Sequence, residues 1–120
     1  MKIAALTVNY HSEEDTLKLV SQLAECSIPK GAHLNIFVVD NDKSQKLRDA
    51  LNKYKTVEYV NSTGNVGFAA GNNIGLKKIM EQKFDVIVML NNDTLVPKDF
   101  IQNIYNSNIA DRAVGALGGL

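Results

Sequence analysis

Four short runs rich in apolar and β-branched residues recur along the chain, and a stretch of helical character follows each one. The runs are "KIAALTV" (2–8), "HLNIFVVD" (33–40), "VEYV" (57–60) and "FDVIVML" (84–90). The stretches after them are "SEEDTLKLVSQLAEC" (12–26), "SQKLRDALNKY" (44–54), "GFAAGNNIGLKKIM" (67–80) and "PKDFIQNIYNSN" (97–108). A helix between two strands returns the chain to the same end of the sheet. Such alternation therefore predicts a mostly parallel sheet with right-handed crossovers and helices on both faces. "AVGALGGL" (113–120) reads as the start of a fifth strand, inside which the chain stops. No repeat or linker divides the 120 residues, so one domain over 1–120 is expected, incomplete at its C-terminal end.

Local signals place the helices. Ser12 with Asp15 three residues on resembles a capping box, and Leu17, Val20, Leu23 and Ala24 give the helix an apolar face. Ser44 is the expected N-cap of the second helix, with Leu47, Ala50, Leu51 and Tyr54 on one face. Phe68, Leu76 and Ile79 share a face of the third, and Pro97 suits the first turn of the fourth.

Composition narrows the function classes. Thirteen basic residues balance thirteen acidic ones, so no basic surplus points to nucleic acid or to an anionic membrane. No run reaches the ~18 apolar residues of a membrane span. "MKIAALTVNY" enters a strand at once without a cleavage pattern, and no signal peptide is expected. The single cysteine, Cys26, has no internal partner, which fits a reducing compartment; a cytoplasmic location is expected.

Polar residues stand where the strands end. Asn9 and Tyr10 follow the first, Asp40, Asn41 and Asp42 the second, Asn61, Ser62 and Thr63 the third, and Asn91, Asn92 and Asp93 the fourth. Ligands of open α/β sheets bind outside the carboxyl ends of the strands. Asn, Asp and Ser also favour turns on their own account. Turn preference explains less well why acids directly follow the two most apolar strands. His11 reads as a solvated loop residue.

The rim carries acids and amides but little cation, since Arg48 is the only arginine before Arg112. A bare phosphate asks for cations or a helix N-terminus. A phosphate bridged by a divalent metal asks for hard oxygen ligands, which Asp93 can supply, while Asp40 can accept hydrogen bonds from a base or ribose. These residue types point to a metal-bridged nucleoside diphosphate. "NSTGNVGFAAGNNIGL" (61–76) has Gly64 and Gly67 at a tight turn, and Gly67, Gly71 and Gly75 recur every four residues. Gly71 and Gly75 suit close helix packing, while Asn65, Asn72 and Asn73 suit either a loop or a ligand. Neither a dinucleotide fingerprint nor a P-loop is present.

"TVNYHSEEDTLKLVSQL", "FVVDNDKS", "NSTGNVGFAAGNNIGL" and "VIVMLNNDTLVPKDFI" together resemble the N-terminal half of family 2 glycosyltransferases. The similarity is greatest to the bacterial rhamnosyltransferase-like branch and covers essentially the whole chain. It implies a Rossmann-like α/β fold of GT-A type and a hexosyltransferase of polysaccharide biosynthesis. The donor would be a nucleotide-diphosphate sugar, dTDP- or UDP-linked, and the acceptor a saccharide or a lipid-linked molecule, with inversion at the anomeric carbon.

The resemblance also implies roles. Thr7, Val8, Asn9 and Tyr10 would line the base. Asp40, with Asn41 beside it, would read base or ribose. Asn65, Gly67, Phe68 and Asn72 would lie near the nucleotide-sugar. Asn91-Asn92-Asp93 stands in place of the D-x-D motif, with asparagine for the first acid. Asp93 would then hold Mg²⁺ or Mn²⁺, with Asn91 and Asn92 beside the donor. The catalytic base and the acceptor site would lie in a C-terminal half that this chain does not include. Peripheral membrane association of the full-length enzyme is a further expectation, and the apolar, glycine-rich end suggests an unpaired sheet edge and self-association. A non-catalytic nucleotide-binding module with the same half-fold is the alternative. A response-regulator-like domain fits less well, because Asn9-Tyr10 stands where paired acids would be needed.

Overall fold

A computed structural model describes residues 1–10, 12–62 and 67–107, the side chain of Phe68 excepted. The expectations for His11, Thr63, Gly64, Asn65, the Phe68 ring and the fifth strand lie outside the described residues. The elements run β1 (Lys2–Asn9), α1 (Glu13–Ala24), β2 (His33–Asp40), α2 (Gln45–Leu51), β3 (Val57–Asn61), α3 (Gly67–Met80), β4 (Val86–Asn91) and α4 (Phe100–Asn106). The strands form one sheet in the order β3-β2-β1-β4, and every pairing is parallel. The chain thus builds outward from β1 to β2 and β3, then returns to place β4 on the other side of β1.

The pleat sorts the side chains. Ile3 and Ala5 of β1, Ile36 and Val38 of β2 and Val86 and Val88 of β4 face α1, α2 and α4, meeting Leu19, Val20, Leu23, Leu47, Leu51, Ile101 and Ile104. Their neighbours Ala4, Leu6, Val8, Phe37 and Val39 face α3 and pack on Ile79. Both faces of β1 and β2 are thereby buried, which is why these strands read as nearly unbroken apolar runs. Close approach of α3 to the sheet explains Gly71 and Gly75. A methyl at Gly75 would collide with Leu6 Cδ1 and come within 2.9 Å of Val39 Cγ2; at Gly71 it would come within 3.0 Å of Val8 Cγ1. Gly67 opens the helix at φ 82°, a left-handed conformation that side chains disfavour.

Ser12 and Ser44 cap α1 and α2, each accepting a bond from the backbone N–H three residues on. Three expectations need correction. The buried stripe of α1 is Thr16, Leu19, Val20 and Leu23, whereas Leu17 is half-buried and Ala24 exposed. Helix α2 ends at Leu51, short of Tyr54. Helix α4 starts at Phe100 rather than Pro97. The Pro97 carbonyl accepts a turn bond from Phe100 N (3.1 Å), and the Lys98 carbonyl accepts from Ser27 N (2.9 Å), so it is held out of a helical ladder. Phe84 and Asp85 precede β4. No helix among the described residues is long and apolar enough to cross a membrane.

Candidate functional site

Sheet register brings the polar strand ends into line. Asn9 pairs with Asp40, and Asp40 with Asn61. Val8 pairs with Asn91, so Asn92 comes level with Asn9. The residues form two tiers. Asn9, Thr16, Asp40, Asn41 and Ser62 are all at most 3% exposed and make a polar floor. Asp42, Asn91 and Asp93 are exposed above it, with Tyr10 half-exposed.

Asp40 organises the floor. It has no exposed surface, and its carboxylate accepts four hydrogen bonds: Asn9 Nδ2 (3.0 Å) and Asp42 N (3.0 Å) on Oδ1, Ser44 N (2.7 Å) and the Tyr59 hydroxyl (2.6 Å) on Oδ2. Four acceptor sites are about what a carboxylate offers. Its backbone carbonyl also accepts from Ser62 Oγ (3.2 Å). Burial, then the bond to Asp40 and its negative charge, push the Tyr59 phenol well above its ordinary range, while the Arg48 guanidinium over the ring (5.9 Å) opposes this.

From Asp40 the bonds continue across the sheet. Asn9 turns its amino group to Asp40, so its carbonyl accepts from the Thr16 hydroxyl at 2.6 Å. Thr16 Oγ1 accepts in turn from Asn92 Nδ2 at 3.1 Å, and the Ser12 carbonyl accepts from the same amino group at 3.3 Å. Thr94 N closes the turn by donating to the Asn91 carbonyl at 3.0 Å. Asn41 donates to the Gly67 carbonyl (3.1 Å), pinning the start of α3 to the rim, while its own Oδ1 is buried without a partner among the described residues.

Tyr10, Asn91, Asn92 and Asp93 line a hollow of about 360 Å³. It lies between β1 and β4, where the strand order reverses, the usual ligand crevice of open α/β sheets. A larger hollow of about 420 Å³, lined by Leu23, Ile28, Ala32 and Thr56 among others, lies at the opposite ends of the strands. It is largely apolar and away from the polar floor, so the smaller hollow is the better candidate. Among the described residues no three or more His, Cys, Asp or Glu side chains converge. Mg²⁺ and Mn²⁺ held mainly by phosphate oxygens and water need only one or two carboxylates. Asp93 and the Asn91 carboxamide fit that kind of site, not an all-protein cage.

The structure thus brings together Asn9, Tyr10, Asp40, Asn41, Gly67, Asn91, Asn92 and Asp93 of the residues singled out in the sequence. Thr7 and Val8 lie inside the sheet at 1% exposure with their side chains under the helices, and Asn72 is buried in α3. Thr16 and Tyr59 were missed. A threonine within an otherwise apolar helical stripe was the available signal for the first; for Tyr59 the sequence carries none.

Comparison with known proteins bears on the family and the fold. Residues 5–120 match the family model described as glycosyl transferase family 2. A low-salt glycan biosynthesis hexosyltransferase, Agl10 of Haloferax volcanii, is 30% identical over 104 residues, 86% of this chain and 31% of that protein. Among solved structures, TarS 1–349 of S. aureus in complex with UDP-GlcNAc superposes with TM-score 0.74 at 20% identity, over 88% of this chain and 30% of that one. The mannosyltransferase PcManGT of Pyrobaculum calidifontis, in complex with GDP-Man and Mn²⁺, gives 0.73 at 19% identity, over 94% and 33%. The chain spans about a third of the length of each.

Proposed function

Because this chain belongs to glycosyl transferase family 2, we propose that its strand-end hollow is the donor half-site of a hexosyltransferase, taking a nucleoside diphosphate sugar. The observation that carries this reading is the polar hollow of Tyr10, Asn91, Asn92 and Asp93 at the reversal of strand order. The base and ribose lie over the β1 and β2 ends, near Asn9, Tyr10, Asp40 and Asn41, and the diphosphate over the β4 turn. Asp40 serves the nucleoside by fixing this rim, since its own acceptors are engaged within the fold. Gly67, bonded through its carbonyl to Asn41, sets the start of α3 beside the donor. Asp93, helped by Asn91, would hold Mg²⁺ or Mn²⁺. Such an ion would supply positive charge to offset that of the leaving diphosphate.

In the reaction proposed, the acceptor oxygen forms a bond to the anomeric carbon from the face opposite the diphosphate. The carbon–oxygen bond to the diphosphate breaks with inversion. The acceptor's proton passes to a carboxylate base. In this reading the described residues contribute donor binding. A dTDP- or UDP-sugar is the proposed donor, and a saccharide or lipid-linked molecule the proposed acceptor.

Calorimetric titration with UDP, dTDP and GDP, with and without Mn²⁺, tests the reading. Binding is expected to tighten with Mn²⁺ in the wild-type chain but not in Asp93→Ala. A folded chain that binds no nucleoside diphosphate under any of these conditions would overturn it.

A further inference from the structure

We propose that Thr16 is a positioning residue that sets the metal affinity of the β4 turn without touching the metal. The inference rests on the donor-site reading above. Asn92 is the middle residue of the turn, and its carboxamide is drawn inward to Thr16 Oγ1 (3.1 Å) and the Ser12 carbonyl (3.3 Å). Its neighbours Asn91 and Asp93 are exposed. Tethering the middle side chain therefore fixes the direction in which the flanking ones point.

The tether does not end on α1. A hydroxyl has one proton, and that of Thr16 goes to Asn9 Oδ1 at 2.6 Å in preference to the Ser12 carbonyl at 3.2 Å. This leaves its oxygen to receive Asn92. The donors then run in one direction, from Asn92 to Thr16, from Asn9 to Asp40, with the carboxylate as the final acceptor. Bonds aligned head to tail polarise one another, and in a buried setting each is costly to break. The chain joins the β4 turn, where the diphosphate and metal would sit, to the β2 end, where the nucleoside would sit. Thr16 is its only link that belongs to no strand end. It is 0% exposed, so it reaches ligand solely through Asn9 and Asn92.

Thr16→Val keeps the shape and removes the relay; Thr16→Ser keeps the hydroxyl. Two readouts separate a positioning role from a merely structural one. In Thr16→Val, amide hydrogen exchange over residues 91–95 should accelerate about tenfold, with β1 and β2 unchanged. The tightening of UDP binding by Mn²⁺ should fall by about ten- to a hundredfold, the usual effect of losing a group that orients a metal ligand. UDP binding without metal should not change, and Thr16→Ser should restore both readouts. Should Thr16→Val fail to fold, Asn92→Ala, which cuts the tether and leaves the Thr16–Asn9 bond intact, should show the same acceleration over residues 91–95 and the same loss of the Mn²⁺ effect. Unchanged exchange and an unchanged Mn²⁺ effect would overturn the proposal, as would a serine variant that behaves like valine. If the wild-type chain binds no nucleotide, the donor-site reading fails, and exchange alone decides: acceleration confined to 91–95 and reversed by serine supports a positioning role; uniform or absent acceleration overturns it.

Discussion

Asp40 is a carboxylate without exposed surface whose partners are hydrogen-bond donors rather than an adjacent cation. Hydrogen bonds to a charged group contribute about 1.5–3 kcal/mol each. Asparagine at this position would turn an amino group towards groups that themselves donate. Asp40→Asn is expected to lose about 3 kcal/mol or more of stability in urea denaturation; a loss under about 1 kcal/mol would contradict the hub described here. Tyr59 gives a pH signature. Its folded-state pKa is raised, by burial first and then by Asp40. The folded state therefore holds the phenolic proton more tightly than the unfolded chain. The stability this contributes is present below the unfolded value of about 10 and is lost as pH rises above it towards the folded value. Stability measured from pH 8 to 11 should fall more steeply in the wild type than in Tyr59→Phe. The acid after the second strand was legible in the sequence. Its donors were not: Asp42 N and Ser44 N depend on how the following loop folds back, and Asn9 and Tyr59 meet it only once the strands are in register.

Helices α1 and α3 show how element-level patterns carry part of the site. The stripe Thr16-Leu19-Val20-Leu23 has helical spacing and holds one polar member. Leu17 and Ala24 belong to an equally regular reading, and only the sheet decides which stripe turns inward. In α3, Gly71 and Gly75 are explained by packing, and unequally. A methyl at Gly75 would collide with Leu6 and crowd Val39 at 2.9 Å, whereas at Gly71 the nearest atoms, of Val8 and the Asn41 amide, lie at 3.0 to 3.3 Å. Gly75→Ala should therefore destabilise by about 1–3 kcal/mol despite alanine's better helix propensity. Gly71→Ala should cost clearly less, and equal urea midpoints for the two variants would contradict this packing. The α4 boundary was misread because Pro97 is as compatible with a turn as with a helix start. The Ser27 bond to Lys98 that settles the matter comes from a distant segment.

The whole sheet turns scattered strand ends into a site. Alternation along the chain predicts parallel strands, and all three pairings are parallel. The order β3-β2-β1-β4 was not legible, because nothing in a strand's own residues says on which side of β1 the fourth must return. That return opens the crevice between β1 and β4 and sets Tyr10 opposite Asn91, Asn92 and Asp93. It also makes β4 an outer strand of the described sheet, with Ile87 and Met89 only half-buried on the α3 side. The molecule thus has a polar end built around the reversal point and an opposite end with a larger, largely apolar hollow. Paramagnetic broadening tells these ends apart. In a ¹⁵N-labelled chain with excess UDP, trace Mn²⁺ should broaden the backbone signals of Tyr10 and of Asn91 to Thr94. Signals of Ala32 to Asn35 at the far end should stay sharp, and Asp93→Ala should remove the effect. Broadening centred on the far end, or unaltered by Asp93→Ala, would contradict a donor site at the β1–β4 crevice.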